Sequence, residues 1–254
     1  MSLVKIERRD HMTWIVMNRP EKGNALNREL MRELIKSVDE ADRDSSSRII
    51  ILTGEGRHFS TGVDLSEIAS LSRIEEVEDI FKTLADLFKR LIDLSKPLII
   101  AYNGDAYGGG AEMIWLGDII ISVEDARFGW VESRWGLIPP LLSGIGSLVI
   151  GFARAHFIAL SSGVLTAREA YQLGLISHLT TRERLREDIE RIARNILENS
   201  SPEALSSIKR VARSVKTSIL VDLGVSELMR LSRSEDVIRR ARDFIEKKQM
   251  PRYI

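Results

Sequence analysis

Three short apolar runs dominate the first half of this chain: "RIIILTG" at 48–54, "PLIIAYNG" at 97–104 and "DIIIS" at 118–122. Their apolar residues are consecutive and mostly β-branched, the pattern of strands buried on both faces. Between the runs the pattern changes to a helical one. "NALNRELMRELIKSVDEADRD" puts Leu30, Met31, Leu34, Ile35 and Val38 on one face, with Asn27 as a candidate N-cap. A second amphipathic helix is predicted over about 75–95, ahead of the second run. Strand, helix, strand, helix, strand is the order of an α/β domain with right-handed crossovers.

The ends of the chain extend this frame. Residues 3–9 and 12–17 alternate and are β-rich around Arg9, Asp10 and His11, which predicts an opening hairpin. After residue 150 the apolar strand runs largely stop. From 181 the pattern is helical and heavily charged, with further helices expected over 202–215 and about 217–247. Ser200, Ser201 and Pro202 mark the boundary, because proline suits a first helical turn. The expected organisation is a core over 1–199 and a helical region over 200–254.

Charge removes two classes of partner. Lys plus Arg and Asp plus Glu both total 37 in 254 residues, so the whole-chain field favours neither nucleic acid nor an anionic membrane. The chain has no cysteine, which rules out disulfides, thiolate metal sites and cysteine nucleophiles together. The four histidines, His11, His58, His156 and His178, form no metal-ligand spacing, and no metal is expected. The first twenty residues are charged and hold no signal-like apolar stretch, and no apolar run approaches the roughly 20 residues of a membrane span. A cytoplasmic location is expected.

"NGDAYGGGAEM" (103–113) is the first stretch that suggests chemistry. A run of glycines lets backbone approach a ligand without Cβ atoms in the way. Between a strand and a helix, free N–H groups and the positive end of the helix dipole point at one place, an oxyanion site. A tight turn that merely packs a helix on a sheet uses glycines equally well. Neither the dinucleotide G-x-G-x-x-G nor a P-loop spacing is present. Glu112 adds weight, because its neighbours up to Leu116 are apolar or small and an isolated buried carboxylate costs several kcal/mol. It would also complement a helix start electrostatically.

The second stretch, "GEGRHFSTGVDLSEI" (54–68), follows another strand and carries Gly62 before Val63 and Asp64. It suits a polar loop capped by Asp64 or Ser66. Two strand-end loops that offer N–H groups also suit enolate chemistry on a thioester, where charge grows on one oxygen.

Four segments together, "NRPEKGNAL" (18–26), "HFSTGVDL" (58–65), "KPLIIAYNGDAYGGGAEM" (96–113) and "ARFGWVESRWGLIPP" (126–140), resemble the crotonase family of enoyl-CoA hydratases and isomerases. The resemblance covers most of the first 190 residues in the family's order and spacing. It implies an α/β spiral of strand-strand-helix turns followed by helices that trimerise, hence a homotrimer or homohexamer. It implies an acyl-CoA thioester substrate, with CoA part of that substrate rather than a cofactor.

By motif position, the two backbone donors that hold the thioester oxygen fall on Val63 and Gly109. The two glutamates that the family's hydratases place around a water fall on Glu112 and Glu132. Such a pair makes chemical sense, since hydration needs one group to deprotonate water at C3 and another to protonate C2. "VESRW" alone equally suits a surface segment in which Glu132 pairs with Arg134. CoA contacts implied by the resemblance are Lys22, Ala25 and Leu26 along the pantetheine and nucleotide, the backbone of Asp64 and Leu65 near the adenine, and Gly108. Lys247 and Lys248 either reach a neighbouring subunit's phosphate or are solvated charges at a helix end.

The expected activity is syn addition of water to a trans-2-enoyl-CoA. Alternatives are a double-bond isomerase, which relies chiefly on the Glu132 equivalent, a hydrolase or decarboxylase, and a CoA-binding paralogue without turnover. The chain departs from the family at Val131, where proline is usual, and at "PPLLSGIGSLVIG", where a glycine pair is usual. Trp130 and Trp135 flank Glu132 where smaller residues are common, so the acyl pocket is expected to differ.

Overall fold

The computed structural model describes residues 2–216, 219–248 and 250–251. The hairpin forms as the alternation predicts: β1 (Val4–Arg9) and β2 (Met12–Met17) pair antiparallel from Val4 with Met17 to Arg9 with Met12. Asp10 and His11 turn it in the left-handed region, at φ 50° and 62°. Helix α1 (Arg28–Arg43) is capped by Asn27, whose side chain accepts the Leu30 N–H.

The three apolar runs become β3 (Ile49–Gly54), β5 (Leu98–Tyr102) and β7 (Ile119–Val123), buried on both faces apart from the half-buried Ile119. Each is followed by a three-residue strand that escaped prediction. These are β4 (His58–Ser60), β6 (Asp105–Tyr107) and β8 (Arg127–Gly129), and a strand that short carries no period. With β9 (Val164–Thr166) they form a second sheet in the order β4, β6, β8, β9. The larger sheet runs β1, β2, β3, β5, β7, β10, with β10 at His178–Thr180. Helix α1 follows the hairpin, whose two strands both lie in the larger sheet; from β3 onward each turn of chain puts one strand in each sheet before the next helices, α2 (Leu65–Ser70) and α3 (Ile74–Ile92), then α4 (Gly109–Glu112). The result is a mixed α/β fold with two sheets and C-terminal helices.

Beyond β8 come a 3₁₀ turn at Glu132–Trp135, a helical segment over 140–150 with a π turn at Leu142–Gly146, and α5 (Ser147–Ile150) at its end. Helices α6 (Phe152–Ser161), α7 (Ala167–Gln172), α8 (Leu185–Asn199) and α9 (Pro202–Lys216) follow. The helix expected over 217–247 opens on Thr217 and Ser218, which lie outside the described residues. The rest of it is two helices, α10 (Ile219–Ser232) and α11 (Glu235–Lys247). The break falls at Ser234, which leaves helical geometry and accepts the Asp236 N–H as a new N-cap. Helix α11 packs on α2 and α10 on α3, so the C-terminal helices cover one flank of the same chain. Among the described residues no helix is long and apolar enough to cross a membrane.

Candidate active site

Two strand-end loops meet above the small sheet. In the first, Leu26 donates its N–H to Gly62 O at 2.8 Å and accepts the Asp64 N–H at 3.1 Å, a parallel bridge to Val63. That bridge uses Leu26 twice and turns the Val63 N–H away from it. In the second, Gly108 stands at φ 50° and ψ −128°, and Gly109 opens α4 with an N–H that no earlier turn can accept. Gly62, at φ 83°, lies so close that a Cβ placed on it would be 3.3 Å from Gly109 N. The two free amides therefore belong to one place.

That place borders a cavity of about 670 Å³. Its wall includes Val63, Gly108, Gly109, Glu112 and Glu132, and toward the other loop Lys22, Ala25, Asp64 and Leu65. Leu26 is absent from the wall: it is fully buried and acts through its bridge to Val63. The Asp64 carboxylate is engaged elsewhere. It accepts Ser66 and Glu67 N–H groups as the cap of α2 and takes the Arg19 guanidinium at 2.6 Å. Only its backbone remains for a ligand. Lys247 pairs with Asp243 at 2.6 Å along the surface of α11.

Glu112 is fully buried on the four-residue helix α4. Its Oε2 accepts the Leu141 N–H at 2.5 Å and its Oε1 accepts the Leu142 N–H at 3.1 Å. Trp115 and Trp130 bring their indole N–H groups near enough to favour its charged form, although neither group reaches hydrogen-bond geometry with any acceptor. Burial outweighs these donors and pushes Glu112 up to about 8. Beneath it the buried Tyr102 hydroxyl donates to Gly110 O and is held protonated, first by burial and then by the Glu112 charge.

Glu132 begins the 3₁₀ turn after β8 and is 8 % exposed, with neither carboxylate oxygen hydrogen-bonded. Its Oε1 lies close to Gly108, 3.7 Å from where a Cβ on that residue would stand. Burial raises its proton affinity well above the usual carboxylate range, and the neighbouring Glu112 raises it further. The surface reading of "VESRW" therefore fails for Glu132, while Arg134 donates to Ser162 O at 3.2 Å. Two carboxylates thus share one cavity, one supplied with donors and one without, and these environments push their proton affinities apart.

Two parts of the site make contacts that no sequence signal named. One is the first turn of segment 140–150, whose start the double proline marks without saying what its amides would meet. The other is an apolar wall built by Phe81, Leu84 and Phe88 of α3 with Leu228, Val237 and Phe244 of the C-terminal helices. Trp135 joins that wall edge-on to Phe244, with ring centroids 5.3 Å apart.

Comparison with known proteins points one way. Residues 7–251 match the family model described as enoyl-CoA hydratase/isomerase. The 2,3-dehydroadipyl-CoA hydratase of Escherichia coli (strain K12) is 31% identical over 215 residues, 84% of this chain and 82% of that protein. The hydroxycinnamoyl-CoA hydratase-lyase of Pseudomonas fluorescens is 30% identical over 212 residues, 81% of this chain and 76% of that one. Among solved structures, an enoyl-CoA hydratase from Mycobacterium avium subsp. paratuberculosis K-10 superposes with a TM-score of 0.86 over 100% of this chain and 99% of its own, at 19% identity. A putative enoyl CoA hydratase/isomerase (crotonase) from Legionella pneumophila subsp. pneumophila gives 0.77 at 31% identity, covering 99% and 98%.

Proposed function

The chain belongs to the enoyl-CoA hydratase/isomerase family, the crotonase family, and on that premise we propose that it is an enoyl-CoA hydratase that adds water syn across a trans-2-enoyl-CoA. The observation that carries this reading is the pair of buried glutamates in one cavity with opposite hydrogen-bond environments. In this reading Glu112 removes a proton from water as its oxygen bonds to C3. The electron pair of the double bond moves onto the thioester oxygen, where the N–H groups of Val63 and Gly109 receive it. Glu132 then delivers its proton to C2, which yields the 3-hydroxyacyl-CoA. Each backbone donor of this kind is worth about 3–4 kcal/mol of barrier. Exchange of protons with solvent as product leaves returns the pair to its starting form.

Lys22, Ala25 and the backbone of Asp64 and Leu65 are assigned to the CoA moiety, and the apolar wall to the acyl chain. A second reading, an isomerase that shuttles one proton through Glu132, draws support from the two amides that already occupy Glu112. The test is the loss of enoyl-thioester absorbance with crotonyl-CoA, run beside Glu112→Gln and Glu132→Gln. A fall of about a hundredfold or more in both supports the hydratase. Loss in Glu132→Gln alone, with turnover of a 3-enoyl-CoA, moves the assignment to isomerase. Binding without turnover would leave a non-catalytic CoA-binding paralogue.

The same reading makes the protein a cytoplasmic homotrimer or homohexamer, with 200–254 contributing to assembly. In support, Leu148, Phe152, Phe157 and Leu160 of α5 and α6, and Ile208 and Val211 of α9, are each more than half exposed. Sedimentation velocity tests it.

A further inference from the structure

The departures at Trp130 and at "PPLLSGIG" converge on one carboxylate. Pro139 and Pro140 have no N–H, so the first amides that segment 140–150 offers are those of Leu141 and Leu142. A helix start has no earlier carbonyl to take such amides. Both go to Glu112, one to each oxygen, at 2.5 and 3.1 Å. The buried Trp130 indole lies near the same group, its N–H without an acceptor of its own. Nothing comparable reaches Glu132.

An amide N–H needs a lone pair facing it, and a carboxylate offers lone pairs on both oxygens where a carboxylic acid must turn one O–H somewhere. Bonds to both oxygens therefore favour the ionised form and fix the plane of the group. Resting on the reading of the site as an enoyl-CoA hydratase, we propose that the first turn of segment 140–150 and Trp130 are positioning elements that act through Glu112, making it the member of the pair that ionises first and leaving the transferable proton on Glu132. The double proline, the Leu-Leu that follows and the tryptophan thereby become parts of one device that assigns base and acid.

The titratable groups that face Glu112 are Glu132 and, from beneath, Tyr102, which stays neutral. The remaining charged groups on the cavity wall are Lys22, Asp64, Arg127 and Arg134. Of these, Asp64 is tied to Arg19 and the cap of α2.

Two measurements on the full chain test the proposal. The first is titration of glutamate side-chain carbons by ¹³C NMR in the wild-type protein, with Glu112→Gln and Glu132→Gln supplying assignments. Glu112 ionising at lower pH than Glu132 is expected, and the reverse order overturns the proposal. The second is Trp130→Phe, which keeps an aromatic ring and removes the indole donor together with part of the ring system. The ionisation of Glu112 is expected to move up by about half a pH unit or more, followed by the low-pH limb of kcat/KM, with KM little changed. An unmoved ionisation removes Trp130 from the device. If no enoyl-CoA is turned over, the hydratase reading fails, while the carbon titration still decides the order of ionisation.

Discussion

A Cβ placed on Gly110 would lie 2.6 Å from the backbone oxygen of Ser60 and 2.8 Å from the Ser60 Cβ. The glycine thus lets α4 start in contact with the end of β4. Ser60 continues the tie, since its hydroxyl donates to Asn24 O at 2.9 Å and accepts the Gly62 N–H at 3.2 Å. Gly110→Ala must push these loops apart. The expected cost is about 1–3 kcal/mol in stability and, because the Val63 and Gly109 amides separate, roughly a hundredfold in kcat. Gly174→Ala is the control: it has φ +77° but open space around it. It should lose about 1 kcal/mol and keep its kcat, as thermal denaturation and steady-state kinetics will read.

The pH profile follows from the order of the two glutamates. Burial lifts Glu112 to about 8 and Glu132 above its ordinary range. In the proposed hydratase the working form carries one proton on the pair, on Glu132. Below about 8 Glu112 also holds a proton and the base is lost. The value of kcat/KM should therefore rise as pH increases through about 8 and fall again where Glu132 ionises. A flat profile from pH 6 to about 9 with crotonyl-CoA would contradict this order.

Arg19 links the two halves of the proposed CoA loop. Its guanidinium donates to Asp64 at 2.6 Å and to Ala25 O at 2.9 Å, and both partners are largely buried. Arg19→Met leaves the Asp64 carboxylate without its cation, at an expected cost of roughly 3 kcal/mol. KM for the CoA ester should rise more than kcat falls. Lys22 lies exposed on the cavity rim, so Lys22→Ala should change KM by no more than about fivefold.

As the proposed acyl pocket, the wall formed by Phe81, Leu84, Phe88, Leu228, Val237 and Phe244 should favour apolar acyl chains. Each CH₂ buried there contributes about 0.8 kcal/mol, so kcat/KM should climb up to about fourfold per carbon from crotonyl-CoA onward, until the cavity is full. A six-carbon enoyl-CoA that ends in a carboxylate should be the poorer substrate beside its unsubstituted analogue, because these six side chains offer the charge no partner. Equal rates for the two would show that the acyl end lies elsewhere.

Local features were the legible ones. The hairpin at 4–17, the Asn27 and Asp64 caps, the buried strands and the buried helix at Glu112 all follow from residues within a few positions of one another. The small sheet was not legible, because three-residue strands such as His58–Ser60 have no pattern to read. Glu132 was ambiguous for a similar reason: "VESRW" has a plausible surface reading, and only the packing around β8 buries it.

What the sequence determined by itself was the class of fold, the two loops rich in glycine, and Glu112 as a buried carboxylate, since periodicity, caps and glycine freedom are short-range properties of the chain; Glu132 came from the family resemblance alone. The tertiary structure alone decided how each glutamate behaves. Leu141 stands 29 positions from Glu112, and the wall from Leu228 to Phe244 lies still farther along the chain. Burial and donated N–H groups from such distant segments set proton affinity, and a carboxylate carries no trace of them in its own neighbours along the sequence.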